Sequence, residues 1–175
     1  MLINIKGNNV NLNECYFHAF RLEEKVFRDI MINGIKSKIL QGYIDKNRSY
    51  NGSFYISLYK GESNSLMMKI IKNKPCIILD KKIHPIKACF RNGSFFYNTP
   101  IPIRDSLYDN EYQSFLHISP KYFLGIGVNL DKSCEDFKER YMELKKIVMW
   151  LNLINKDLEI ININTGKIID KKLVK

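Results

Sequence analysis

Cys15-Tyr16-Phe17-His18-Ala19-Phe20 is a run of apolar and aromatic residues that gives way, almost without a loop, to a different period. From there Leu22, Val26, Phe27, Ile30 and Met31 recur at helical spacing, while Glu23, Glu24, Lys25, Arg28 and Asp29 fall on the opposite face. The change reads as a short strand feeding an amphipathic helix. Asn33-Gly34 supplies the stop, because both residues tolerate the left-handed geometry that closes a helix. Upstream, Gly7-Asn8-Asn9 and Asn11-Leu12-Asn13 are turn-prone and bound the strand.

Outward from this unit most segments favour strand. Ser53 to Tyr59 alternates and is rich in β-formers, and Cys76 to Leu79 is an apolar run suited to a buried strand. His84 to Phe90 and Phe95 to Asn98 read as two short strands around Asn92-Gly93, a hairpin dipeptide. Tyr112 to Ile118 and Phe123 to Val128 are two more, joined across Ser119-Pro120. A short helix is expected at Leu66 to Ile71, and loops at Asp45 to Gly52 and Asn98 to Asp109. The clearest helix runs from about Glu135 to Asn155, with Phe137, Tyr141, Leu144, Val148 and Leu151 on its apolar face. Leu158 to Ile163 and Ile168-Ile169 frame a terminal hairpin. Strands outnumber helices and the helices are segregated, so the class is α+β, in a single domain over residues 1–175.

Composition narrows the function classes. The longest apolar runs are a few residues, far short of a membrane span, and Met1-Leu2-Ile3-Asn4 does not open a secretory leader. The expectation is a cytoplasmic protein, or one injected into a host cell without a signal peptide, with no membrane partner. Four cysteines, Cys15, Cys76, Cys89 and Cys134, lie at wide spacings without a CxxC pair, so no metal site is expected and the thiols read as reduced and mostly buried. The net charge of +10, from 28 Lys and Arg against 18 Asp and Glu, suits an anionic partner, although the basic residues are scattered.

Three segments carry candidate chemistry: His18-Ala19 at the end of the first strand, Gly52-x-x-Tyr55-Ile56-Ser57, and Asn110-Glu111-Tyr112-Gln113-Ser114. In this order they resemble the His-Tyr-Glu branch of the ADP-ribosyltransferase superfamily, which includes poly-ADP-ribose-polymerase-like enzymes and DNA-targeting toxins. The resemblance covers roughly residues 15 to 128. It implies a split, mostly antiparallel β core with flanking helices, NAD as substrate, and mono-ADP-ribosyl transfer to a protein or nucleic acid, as in a toxin or effector. By the same resemblance His18 and the backbone at Ala19 hold the ribose and amide end of NAD. Tyr55 stacks on nicotinamide, Ser57 supports that strand, and Glu111 is the catalytic carboxylate. The family often has Gly or Thr where this chain has Ala19. The arginine-specific branch carries Glu or Gln two residues before the catalytic Glu; here that position is Asp109, so arginine specificity is not expected.

Two other readings stay open. A cysteine hydrolase or deamidase could pair Cys89 with His84 or His117, oriented by Asp80 or Asp105; Cys15 and His18, three apart on a strand, face opposite ways. A non-catalytic basic module could instead bind nucleic acid or protein, with Phe95-Phe96-Tyr97 near Arg91 stacking bases.

Overall fold

The chain opens with a hairpin where only turns were expected. β1 (Leu2–Ile5) and β2 (Asn8–Asn11) pair antiparallel around Lys6-Gly7. Both turn residues have positive φ, 50° and 84°, which matches a two-residue turn to the twist of its strands. Ile3 and Ile5 are its buried side chains. The computed structural model describes residues 1–42, 55–60, 74–87, 111–131, 133 and 135–174. The expected helix at Leu66 to Ile71, the Asn92-Gly93 hairpin, the two polar loops, Asp105, Cys89 and Cys134 all lie outside them.

The strand–helix unit takes the form its periodicity dictates. β3 is Tyr16–Ala19 and α1 is Glu24–Asn33, with Phe27, Ile30 and Met31 inward. Gly34, at φ 88°, ends the helix by donating its N–H to Ile30 O. β4 (Ile35–Lys36), β5 (Tyr55–Lys60), β6 (Cys76–Leu79) and β7 (Ile86–Lys87) follow. The single strand expected over Tyr112 to Ile118 is instead two, β8 (Glu111–Phe115) and β9 (His117–Ile118). Leu116 turns the corner between them at φ 56°. β10 (Phe123–Val128), α2 (Phe137–Leu153), β11 (Glu159–Asn162) and β12 (Lys167–Ile168) complete the described chain.

Eight strands form one continuous sheet in the order β12-β11-β10-β6-β3-β5-β8-β7. Every pairing in it is antiparallel except β10–β11, between which α2 makes the crossover that a parallel pair requires. The architecture is therefore mixed α+β with a large, mostly antiparallel sheet and two helices among the described residues. Among the described residues the core is one sheet rather than two halves; the β1–β2 hairpin and the β4–β9 pair, Ile35↔Ile118 and Lys36↔His117, lie outside it.

Two apolar layers cover the sheet. On one side α1 and α2 pack on Ile56, Leu58, Ile77, Leu79, Ile126 and Ile160, and Phe27 meets Trp150 with ring centroids 5.5 Å apart. On the other, Ile3, Ile5 and Leu12 close over Cys15, Phe17, Cys76, Ile78 and Ile161. β6 is covered on both faces, which is why its four residues are all apolar rather than alternating. Gly127 is needed where the second layer is tightest, since a Cβ there would lie 2.6 Å from Cys76 Sγ and 2.7 Å from Ile163. Among the described residues no helix is long and apolar enough to cross a membrane.

Candidate functional site

β3 is held unequally on its two sides. Against β6 it pairs along its whole length, from Tyr16↔Leu79 to Ala19↔Cys76. Against β5 the pairing stops after Tyr16↔Lys60 and Phe17↔Tyr59. At the point where the ladder stops, the His18 ring takes over and its Nδ1 lies 3.0 Å from Ser57 O. A carbonyl oxygen only accepts, so Nδ1 carries the proton. Burial pushes the imidazole below its ordinary pKa, opposed by the bond to Ser57 O. At neutral pH the ring is uncharged, and Nε2 is a hydrogen-bond acceptor.

His18 and Ala19 line a cleft of about 810 Å³ between the end of β3 and α1, with Gly34, Ile35 and Lys36 along its far side. That volume is within the range of small-molecule sites. Its polar rim is arranged in pairs. Arg21 Nε lies 2.9 Å from Glu23 Oε1, and Lys36 Nζ lies 3.1 Å from Asp29 Oδ1. Asp29 also accepts from Asn33 Nδ2 at 2.7 Å; that bond, then Lys36, holds its carboxyl below the usual range. Lys25 and the first turn of α1 reach the same cleft, and the N-cap residue Glu23 makes no side-chain capping bond.

Tyr55 and Ser57 are placed differently from His18. They alternate with Ile56 and Leu58, whose side chains enter the helix-side core, so Tyr55, Ser57 and Tyr59 take the other face of β5. The Tyr55 ring meets Phe115 edge-on at 5.8 Å, and burial raises its phenol pKa. Its hydroxyl is buried with no hydrogen-bond partner among the described residues. What joins His18 to β5 is thus the Ser57 carbonyl. Glu111 opens β8, its backbone opposite Tyr59, with Gln113 opposite Ser57. Gln113 is buried, 3 % exposed, beside the His18–Ser57 contact. Sequence reasoning assigned it no role; its signal was a polar residue at an inward position of a central strand.

Known proteins add nothing to this geometry. No family model, curated protein or solved structure matches the chain.

Of the competing chemistries, the nucleophile Cys89 and the stacking run Phe95-Phe96-Tyr97 with Arg91 lie outside the described residues. Cys15 and Cys76 are buried, and burial pushes both thiols up to about 12, so neither is a ready thiolate. Cys15 Sγ bonds Asn11 O at 3.5 Å and Cys76 Sγ bonds Gly127 O at 3.7 Å. His117 donates to Asn33 O, and no cluster of three metal-ligating groups occurs among the described residues. The basic side chains are dispersed in ion pairs, Lys6 and Lys171 with Asp157, Lys81 with Glu14, and Arg140 with Asp136.

Proposed function

We propose that this chain is a mono-ADP-ribosyltransferase of the His-Tyr-Glu type, moving ADP-ribose from NAD to a protein or nucleic-acid acceptor. The observation that carries the reading is His18, a neutral imidazole fixed by Ser57 O at the gap between β3 and β5, on a cleft large enough for a nucleotide. With Nδ1 committed to a carbonyl, Nε2 accepts from a hydroxyl donor, and a ribose offers one. Arg21, Lys25 and Lys36 at the cleft supply positive charge for a diphosphate, supported by the open first turn of α1.

In this reading Glu111 does the catalytic work. As the bond between nicotinamide and ribose stretches, positive charge develops on the sugar, and a carboxylate held to the ribose 2′-hydroxyl stabilises it. Nicotinamide leaves with the bonding electron pair, and a nucleophilic atom of the acceptor then bonds the ribose carbon and gives up its proton. The resemblance assigns Tyr55, on the face of β5 away from α1, to the nicotinamide ring, and the Ala19 backbone to the amide. The Tyr55 hydroxyl and Gln113 supply polar groups around Ser57. A role as a toxin or effector, in the cytoplasm or injected into a host cell, follows from the same resemblance.

The test is nicotinamide release and label transfer from NAD in the presence of separate protein and nucleic-acid pools. Glu111→Gln keeps shape and removes charge, so its rate should fall by about 10²-fold or more while the protein stays folded. A wild type that releases no nicotinamide and moves no label would refute the transferase reading.

A further inference from the structure

The cleft and the strand carrying Glu111 belong to parts of the chain far apart in sequence, yet one short ribbon ties them. Asn33 is the last residue of α1, where helix carbonyls lack partners within the helix. Its carbonyl accepts from His117 Nε2 at 2.7 Å, across 84 residues. The acceptor is a carbonyl, so Nε2 must carry the proton. Next to it the backbones are in contact. A Cβ on Gly34 would collide with Ile118 O and lie 2.6 Å from His117 Nε2. Beyond, Lys36 pairs with His117, and Ser37 N–H donates to Leu116 O at 2.7 Å.

On the other side of Leu116 the chain is β8, which enters the main sheet opposite β5 and begins at Glu111. Leu116 makes this turn in the left-handed region, a conformation a leucine holds only when its surroundings impose it. The bonds on its C-terminal side are those that impose it. Gly34, Ile35 and Lys36 line the cleft, so the same ribbon is at once cleft wall and anchor for the Glu111 strand.

The geometry points to His117 as a positioning residue that locks the end of α1 to the β8–β9 strand, fixing the cleft relative to Glu111. The inference rests on the transferase reading for its catalytic consequence, but the lock itself can be measured without NAD. His117 is not itself among the residues lining the cleft, so it acts through the two segments it joins.

The experiment compares full-length wild type, His117→Ala and His117→Gln by amide hydrogen exchange over residues 34–37 and by nicotinamide-release kinetics with NAD. Glutamine places an amide N–H near the position of Nε2. His117→Ala should speed exchange at Gly34 and Ser37 by about tenfold, the scale of one net hydrogen bond. It should lower kcat by a similar factor with little change in KM, because the carboxylate acts on the transition state. His117→Gln should restore both. Unchanged exchange in His117→Ala, or a glutamine variant as impaired as the alanine one, would overturn the assignment. If wild type releases no nicotinamide, the transferase reading fails alone, and the exchange data still decide whether the lock exists.

Discussion

The two nitrogens of His18 meet different demands, and two substitutions separate them. Nδ1 bonds Ser57 O where β3 and β5 stop pairing, while the transferase reading assigns Nε2 to a ribose hydroxyl. Asparagine retains a donor near Nδ1 and loses Nε2; alanine loses both. His18→Ala should therefore destabilise the fold by about 1 kcal/mol, the net worth of one hydrogen bond. His18→Asn should stay near wild type in urea denaturation yet release little nicotinamide. Equal loss of stability in both variants would show that Nδ1 is not what closes the gap. The pH dependence has a definite sign. The folded pKa lies below the ordinary 6.5, so the unfolded chain takes up the proton first. Stability from this group is full above pH 6.5 and is lost as pH falls through the folded value. Wild type should lose denaturation midpoint from pH 7.5 towards pH 5 relative to His18→Asn, which has no titrating group at this position. A gap in favour of asparagine should therefore open as pH falls.

Among the elements, the junction of α1 with β4 and β9 is the one a single methyl group should break. Gly34 combines φ 88° and ψ 177°, a region nearly closed to other residues, with contact from Ile118 O. Gly34→Ala should cost about 3 kcal/mol from backbone strain and overpacking together, read as a lower denaturation midpoint with an unchanged m-value. A shift under about 0.5 kcal/mol would mean that β9 yields easily and does not clamp the helix end. This glycine was legible as a helix stop from Asn33-Gly34, but the clamp was not, because His117 and Ile118 arrive from 84 residues away. The same limit hid two local features. Lys6-Gly7 turns a hairpin without the Asn-Gly signature, between strands rich in asparagine. Leu116 breaks a strand with no glycine or proline to announce it, since the break is imposed by pairing with β4. The strands at β5, β6 and β10 and both helices were readable because their burial periodicity is local.

Across the whole molecule, which segments are strands was encoded nearby, but their order in the sheet was not. That order places first-half β3 between β6 and β5 and brings the N-terminal hairpin over Cys76, Ile78 and Ile161. The trio of His18, Tyr55 and Glu111 was legible as residue types on strands. The side of β5 on which Tyr55 and Ser57 project, and the use of the Ser57 carbonyl, depend on that non-local register. The hairpin's attachment also carries a charge signature. Lys6 Nζ reaches Asp157 Oδ2 at 3.0 Å and Asp157 O at 2.6 Å, while Lys171 Nζ reaches Asp157 Oδ1 at 2.9 Å, so one carboxylate clasps both chain ends. The hydrogen bonds from Lys171 and Lys6 hold the Asp157 carboxyl down to about 2. Its unfolded value is near 3.9, so this stabilisation is present above pH 4 and fades as pH falls towards 2. Asp157 is largely exposed, its side chain 76 % accessible, so the increment is modest and screened by salt. Asp157→Asn should therefore lower Tm slightly at pH 7 in low salt. The difference from wild type should shrink in 1 M salt and vanish by about pH 2, whereas a gap that persists under both conditions would assign the clasp to packing rather than charge.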